Sequence, residues 1–125
     1  MTRVILESPY AGPTPEAIAK HEEYARRAVK DSLYRGEAPL ASHLLYTQPG
    51  ILDDTVKEER RLGIDAGHAW LGQADGMVVY ADLGISPGMH IGIERAKALG
   101  VQVDYRYLDV DGESSPQDAA IKINA

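Results

Sequence analysis

The stretch Gly76-Met77-Val78-Val79-Tyr80-Ala81-Asp82-Leu83-Gly84-Ile85-Ser86-Pro87-Gly88 decides how the chain folds. Met77 to Ala81 is apolar at every position, which is how a strand reads when both its faces are covered. A loop containing Gly84 follows. Ser86-Pro87 then supplies a helix start: a hydroxyl to cap the first turn and a proline at the first helical position. The helix is expected to run to Leu99, with Gly100 as its C-cap. A buried strand feeding a helix in this way is half of a parallel βαβ unit.

The same grammar recurs on either side. Arg3 to Glu7 reads as a buried strand, and Ser8-Pro9-Tyr10-Ala11-Gly12-Pro13 as a turn-rich loop. Thr14-Pro15 opens a helix expected to reach about Tyr34, with Ile18, Ala25, Ala28, Val29 and Leu33 on its apolar face and Gly36 beyond its end. Ala38 to Tyr46 is expected to be a second strand running into a loop. Thr55, with Glu58 three residues on, has the form of a capping box for a helix reaching Gln73. Gly63 and Gly67 each weaken that helix by about 1 kcal/mol relative to Ala, so a neighbouring chain or a ligand is expected to pack closely there. Val101 to Leu108 is the last strand. The alternation β-α-β-α-β-α-β predicts an α/β fold with helices on both faces of a mainly parallel sheet of four or five strands. One domain is expected over residues 1–108, and a polar C-terminal tail or edge element over 109–125.

Composition narrows the function. A chain of 125 residues suits one domain. It carries no cysteine, which excludes disulfides, thiolate metal sites and a cysteine nucleophile. Its four histidines are dispersed and give no metal-site spacing. A net charge of −6 argues against nucleic acid as a partner, since phosphate backbones call for clustered Lys and Arg. The N-terminal apolar run is too short for a signal peptide or membrane helix, so no membrane partner is expected and the cytoplasm is the default location. There is no Walker loop, no nucleophile elbow and no His-Glu-x-x-His, and no cofactor is implied.

Ligands of such sheets sit beyond the carboxyl ends of the strands. Three loops meet that condition. In Asp82 to Glu94, Gly84 and Gly88 admit close approach, and the N–H groups of Gly88, Met89 and His90 at a helix start favour an anion. In the loop Ser8 to Gly12, Tyr10 offers a ring to stack on a base or sugar. The third loop carries His43. The first two become neighbours if the first and third strands pair. His90, in the first turn of its helix, is disfavoured as an imidazolium by the helix dipole. His21 and His68 read as surface or interface residues. Asp53-Asp54 reads as a helix cap, and the run Glu58 to Arg61 as a solvated face from which an arginine can reach a phosphate.

Three segments resemble the nucleoside 2-deoxyribosyltransferase superfamily: Ser8-Pro9-Tyr10-Ala11-Gly12, Ala74-Asp75-Gly76-Met77-Val78-Val79-Tyr80, and Asp82-Leu83-Gly84-Ile85-Ser86-Pro87-Gly88-Met89-His90-Ile91-Gly92. Ala41-Ser42-His43-Leu44-Leu45-Tyr46, Leu52-Asp53-Asp54, Glu59-Arg60 and Ser86-x-Gly88-Met89 bring the chain nearer to short bacterial and phage members of that group. The resemblance covers residues 3 to about 108. It implies a flavodoxin-like (Rossmann-like) three-layer fold, a nucleoside or nucleotide-like small molecule in the pocket, a homo-oligomer, and the cytoplasm of a bacterium or a phage-infected host. It also implies a glutamate nucleophile early in the helix that follows the third strand. Aligning Gly88-Met89 with the family pattern puts His90 at that position, with Glu94 one turn further on.

The candidate catalytic residues are therefore His90, Glu94 and Asp82. The candidate ligand-binding residues are Ser8, Pro9, Tyr10, Ala11, Gly12, His43, Gly84, Ser86, Gly88 and Met89. No metal ligands are assigned. Three readings stay open: an N-glycosidase or deoxyribosyltransferase, a non-catalytic protein that sequesters a nucleotide signal, and an oligomeric scaffold with a vestigial pocket.

Overall fold

The computed structural model describes residues 1–109, so the expected tail lies almost wholly outside the described residues. The elements are β1 (Thr2–Glu7), α1 (Pro15–Tyr34), β2 (Glu37–Leu40), α2 (Ser42–Leu45), α3 (Lys57–His68), a 3-10 turn (Leu71–Gln73), β3 (Gly76–Tyr80), α4 (Pro87–Ala98) and β4 (Val103–Arg106). The four strands form one parallel sheet in the order β2-β1-β3-β4. The flavodoxin-like α/β architecture is thus the observed one, and β1 pairs with β3 as the two-loop argument requires.

Strand parity builds the layers. Val4 and Leu6 of β1 join Val78 and Tyr80 of β3 on one face, where α1 lays down Tyr24 and Ala28. Ile5 joins Met77 and Val79 on the other face, where α4 supplies Met89, Ile93 and Ala96. By the same alternation Glu7 points toward the α4 side.

Both main helices start as the sequence predicts. The Thr14 hydroxyl accepts from the Ala17 N–H, and Pro15 opens α1. The Ser86 hydroxyl accepts from the Met89 N–H, while the Met89 sulfur accepts from the Ser86 N–H. Gly36 and Gly100 take the left-handed conformation just past the helix ends, at φ 84° and 74°.

Two expectations need correction. The second strand ends at Leu40, and Ser42–Leu45 is a single helical turn. Ala41 is buried in the core beneath α1 and Leu44 packs against it, which helical spacing allows and alternation would not. Thr55 is no helix cap: its N–H and hydroxyl both donate to the Asp53 carboxylate, a local Asx-type bond that outcompetes capping, and α3 begins at Lys57. Gly63 and Gly67 are closely packed as expected, here against Leu52 and Ser42 of the same chain. A Cβ at 67 would lie 2.7 Å from the Ser42 Cβ, and one at 63 would lie 3.2 Å from the Leu52 Cδ1.

Beneath α1, a polar network ties the layers together. The Tyr80 hydroxyl donates to Asp31 at 2.7 Å, and Arg35 pairs with the same carboxylate. Arg106 on β4 forms a two-pronged ion pair with Glu37 on β2, joining the two edge strands, and both side chains are nearly buried. Among the described residues, no helix is long and apolar enough to cross a membrane.

Candidate functional site

β1 leads through α1 to one edge of the sheet, and β3 leads through α4 to the other. The loops leaving β1 and β3 therefore diverge, and a crevice must open between them. A cavity of about 220 Å³ lies there. Its base is Glu7 and Ser8 at the end of β1, with Tyr10 and Ala11 beyond. Ser86 to Met89 at the start of α4 form one side. The opposite wall is His43 on α2, Tyr46 and Leu52 in the loop that follows, and Arg60, Ile64 and His68 on α3. An adjoining open groove of about 790 Å³ shares Tyr10, Leu52, Asp54 and Arg60 with it.

Two polar pairs meet at the base. Ser8 and His43 are joined by a 2.6 Å hydrogen bond between Oγ and Nε2. Burial pushes the His43 imidazole down from 6.5 to about 4, so the ring is neutral at ordinary pH. Glu7 and His68 form the second pair, with 3.8 Å between Oε1 and Nε2 and side-chain exposures of 13% and 11% that keep both out of bulk water. Burial raises the Glu7 carboxyl above the ordinary carboxylate range, with His68 acting in the opposite direction. Arg95 of α4 donates to the His68 Nδ1. A guanidinium can only donate, so Nδ1 accepts and a neutral His68 carries its proton on Nε2, facing Glu7.

Arg60 stands at the mouth, 3.8 Å from Asp54, with almost half of its side chain exposed. The α4 start is less open to an anion than the sequence suggests. The Met89 N–H is taken by the Ser86 hydroxyl and the His90 N–H by the Ser86 carbonyl, which leaves the Gly88 N–H without an acceptor among the described residues.

The structure brings together Ser8, Tyr10, Ala11, His43, Ser86, Gly88 and Met89 around the cavity. Gly12 borders the adjoining groove instead, and its missing side chain makes room for Ala17, whose Cβ would lie 2.8 Å from an added Cβ. Pro9 is buried beside the cavity without lining it. Gly84 takes φ 88° in the turn after β3 and does not line the cavity.

The three expected catalytic residues are not brought to the cavity. The Asp82 carboxylate accepts from the Tyr24 hydroxyl and from the N–H groups of Leu108 and Asp109, so it ties β3 to α1 and to the chain beyond β4. Burial alone would raise its pKa, but these donors outweigh burial and hold it below the ordinary carboxylate range. His90 and Glu94 lie on the outer face of α4. His90 is exposed, and Glu94 has 72% of its side chain in solvent beside Lys97. The inward positions of this helix are Met89, Gly92, Ile93 and Ala96.

Several cavity-lining residues are not among the expected site residues, Glu7, Tyr46, Leu52, Ile64 and His68 among them. Glu7 reads as the end of a buried strand at the head of the first candidate loop, and His68 as a surface residue. Parity was the available signal for Glu7. It lies two residues from Ile5, so an ionisable group enters the α4 face at the carboxyl end of a central strand.

The fold and this crevice define a flavodoxin-like α/β protein with its pocket at the switch point of the sheet. The chain belongs to the family described as a domain of unknown function, DUF7768, whose model matches residues 2–106. Among solved structures, a 2-deoxyribosyltransferase from the psychrotolerant bacterium Bacillus psychrosaccharolyticus is similar with a TM-score of 0.59 and 18% identity, over 90% of this chain and 75% of that one. The CMP N-glycosidase of Clostridium botulinum is similar with a TM-score of 0.48 and 12% identity, over 98% of each chain. At 18% identity the likeness to the deoxyribosyltransferase speaks for the fold alone. No curated protein matches the chain.

Proposed function

We propose that this protein binds a nucleoside or nucleotide-like molecule in the switch-point cavity and breaks or exchanges its N-glycosidic bond. The observation that carries this reading is the cavity itself, where a secluded carboxylate, Glu7, meets an aromatic loop residue, Tyr10, and the start of α4. Cleavage of a glycosidic bond needs a carboxylate beside the anomeric carbon, in a site that excludes bulk water. The shared sheet with a 2-deoxyribosyltransferase supports the same substrate class. The cavity is below the roughly 300–1,000 Å³ of pockets for drug-sized ligands, which suits a sugar held inside with the rest of the molecule reaching into the adjoining groove. Arg60, on the border of both, is a cation available to a 5′-phosphate, with Lys57 also lining the groove.

The test is incubation with a panel of nucleosides and 5′-monophosphates, following free base by chromatography and binding by calorimetry. Release of base is expected. Arg60→Ala is expected to weaken monophosphate binding about tenfold and leave nucleoside binding unchanged. Tight binding without turnover supports the sequestering role instead. Failure of every compound to bind rejects the pocket reading. Self-association belongs to the same proposal, and sedimentation velocity checks it; Leu62, Trp70 and Ile91 are large apolar side chains left exposed on the described surface.

A further inference from the structure

The geometry points to Glu7 as the nucleophile of the cavity, its carboxylate resting in space that Gly92 of α4 leaves empty. This rests on the proposed N-glycosidic reading and names the group that performs it.

Three acidic side chains line the cavity: Glu7, Asp54 and Glu59. Asp54 pairs with Arg60 at 3.8 Å, and Glu59 accepts from the Asp53 N–H at 3.2 Å, so both are engaged near the mouth. Glu7 differs in each respect. It stands at the end of a central strand, 13% exposed, and among the described residues its one ionic neighbour is a histidine 3.8 Å away. Behind that histidine lie Arg95 of α4 and, 3.5 Å from it, Asp65 of α3. The neutral tautomer of His68 presents its Nε2–H to the Glu7 carboxylate, which makes His68 a positioning residue.

Gly92 explains how the carboxylate reaches this place. A Cβ at position 92 would lie 2.5 Å from the Glu7 Oε1, 3.0 Å from its Cδ and 3.1 Å from the His68 Nε2. No side chain other than glycine's leaves Glu7 where it is. The φ at 92 is not among the positive values, so space, and not backbone conformation, makes the requirement. Glycine within a helix is unfavourable by about 1 kcal/mol relative to alanine, and here its return is a free seat for the carboxylate.

The chemistry balances with water as the second reactant. A Glu7 oxygen attacks C1′ of the sugar. The C1′–N bond breaks and its electron pair leaves with the base, which takes a proton from solvent. Water then adds to C1′, the ester C–O bond breaks, and Glu7 recovers its carboxylate while the proton of water passes to solvent. The sum is nucleoside plus water giving sugar plus free base. A leaving nitrogen that solvent can protonate does not call for a second carboxylic acid.

Two variants and one trap test the assignment. Glu7→Gln keeps the shape and removes the charge; base release should fall at least ~100-fold while the calorimetric Kd stays within about threefold. Gly92→Ala should fold, because the atom it displaces is the free end of a side chain, and should be as inactive as Glu7→Gln. Circular dichroism and thermal melting verify folding of both. In the trap, a 2-deoxy-2-fluoroarabinosyl nucleoside should leave its sugar on the peptide that carries Glu7, read by mass spectrometry. Base release that survives Glu7→Gln overturns the assignment. So does an adduct on any other residue, an absence of adduct under turnover, or full activity in Gly92→Ala. Wild-type binding with no release overturns Glu7 as nucleophile and leaves the pocket standing, whereas absence of binding removes the pocket reading beneath it.

Discussion

His43 shows how one half-buried, desolvated side chain sets a pH limit on the whole chain. Its pKa falls from 6.5 to about 4 because burial disfavours the imidazolium. Below pH 6.5 the unfolded chain takes up a proton that the folded chain refuses. The stabilisation is therefore complete above 6.5 and is lost as the pH falls toward 4, an effect on the order of 2 kcal/mol. Urea titrations at pH 7 and pH 4.5 should show a larger loss of stability for the wild type than for His43→Gln, which keeps a hydrogen-bonding partner for Ser8 and cannot titrate. Equal losses in the two proteins would show that His43 is not the group responsible. The neighbouring residue that titrates in the opposite sense is Glu7. Its raised pKa means that ionisation works against folding, so Glu7→Gln should melt higher than the wild type at neutral pH. A gain in stability joined to a loss of activity is the pattern expected of a functional side chain, and an unchanged or lower melting temperature would remove that argument.

At the scale of elements, α2 and α3 are held by a contact that local propensity cannot foresee. Replacing a helical glycine by alanine ordinarily stabilises a helix by about 1 kcal/mol. At Gly67 the sign should reverse, because the added Cβ would meet the Ser42 Cβ at 2.7 Å. Overpacking of this kind costs about 1–3 kcal/mol. Gly67→Ala should therefore melt lower, and Ser42→Gly should recover most of the loss when added to it; a stabilised Gly67→Ala would refute the contact. This contact also shows what the sequence could and could not reveal. β3 and α4 were legible because their signals are local: an unbroken apolar run, then Ser86-Pro87, then Gly100. The apolar residues of α2 resemble strand because Ala41 and Leu44 reach the core by tertiary packing within a single turn. The start of α3 is hidden because Asp53 holds the Thr55 groups that a capping box would use. Of the site, the two loops were legible from their glycines and their position after strands. The carboxylate was not, because the inward position of α4 is Gly92 and the acid enters from β1, a pairing distant in the chain.

The whole molecule is tied across its sheet by the ion pair of Arg106 and Glu37, which joins β4 to β2 beneath α1. Both partners are nearly buried, at 12% and 14% exposure, so removing one strands the other. Arg106→Met should lower stability by roughly 3 kcal/mol, read from the denaturation midpoint, and a loss below that of an ordinary surface change would mean that water compensates for the missing partner. The same sheet sends α1 to one side and α4 to the other, and the cavity draws on both: Glu7 faces α4, while Ser8 reaches His43 on α2. The meeting of Glu7 with Gly92 then has a consequence for which sequences this fold can tolerate. Positions 7 and 92, far apart in the chain, compete for one volume. In a library randomised at both and selected only for folding, a long residue at 7 should travel with glycine at 92, and a larger residue at 92 with a short one at 7. The two positions should behave as a single locus, with one tenancy to assign between them.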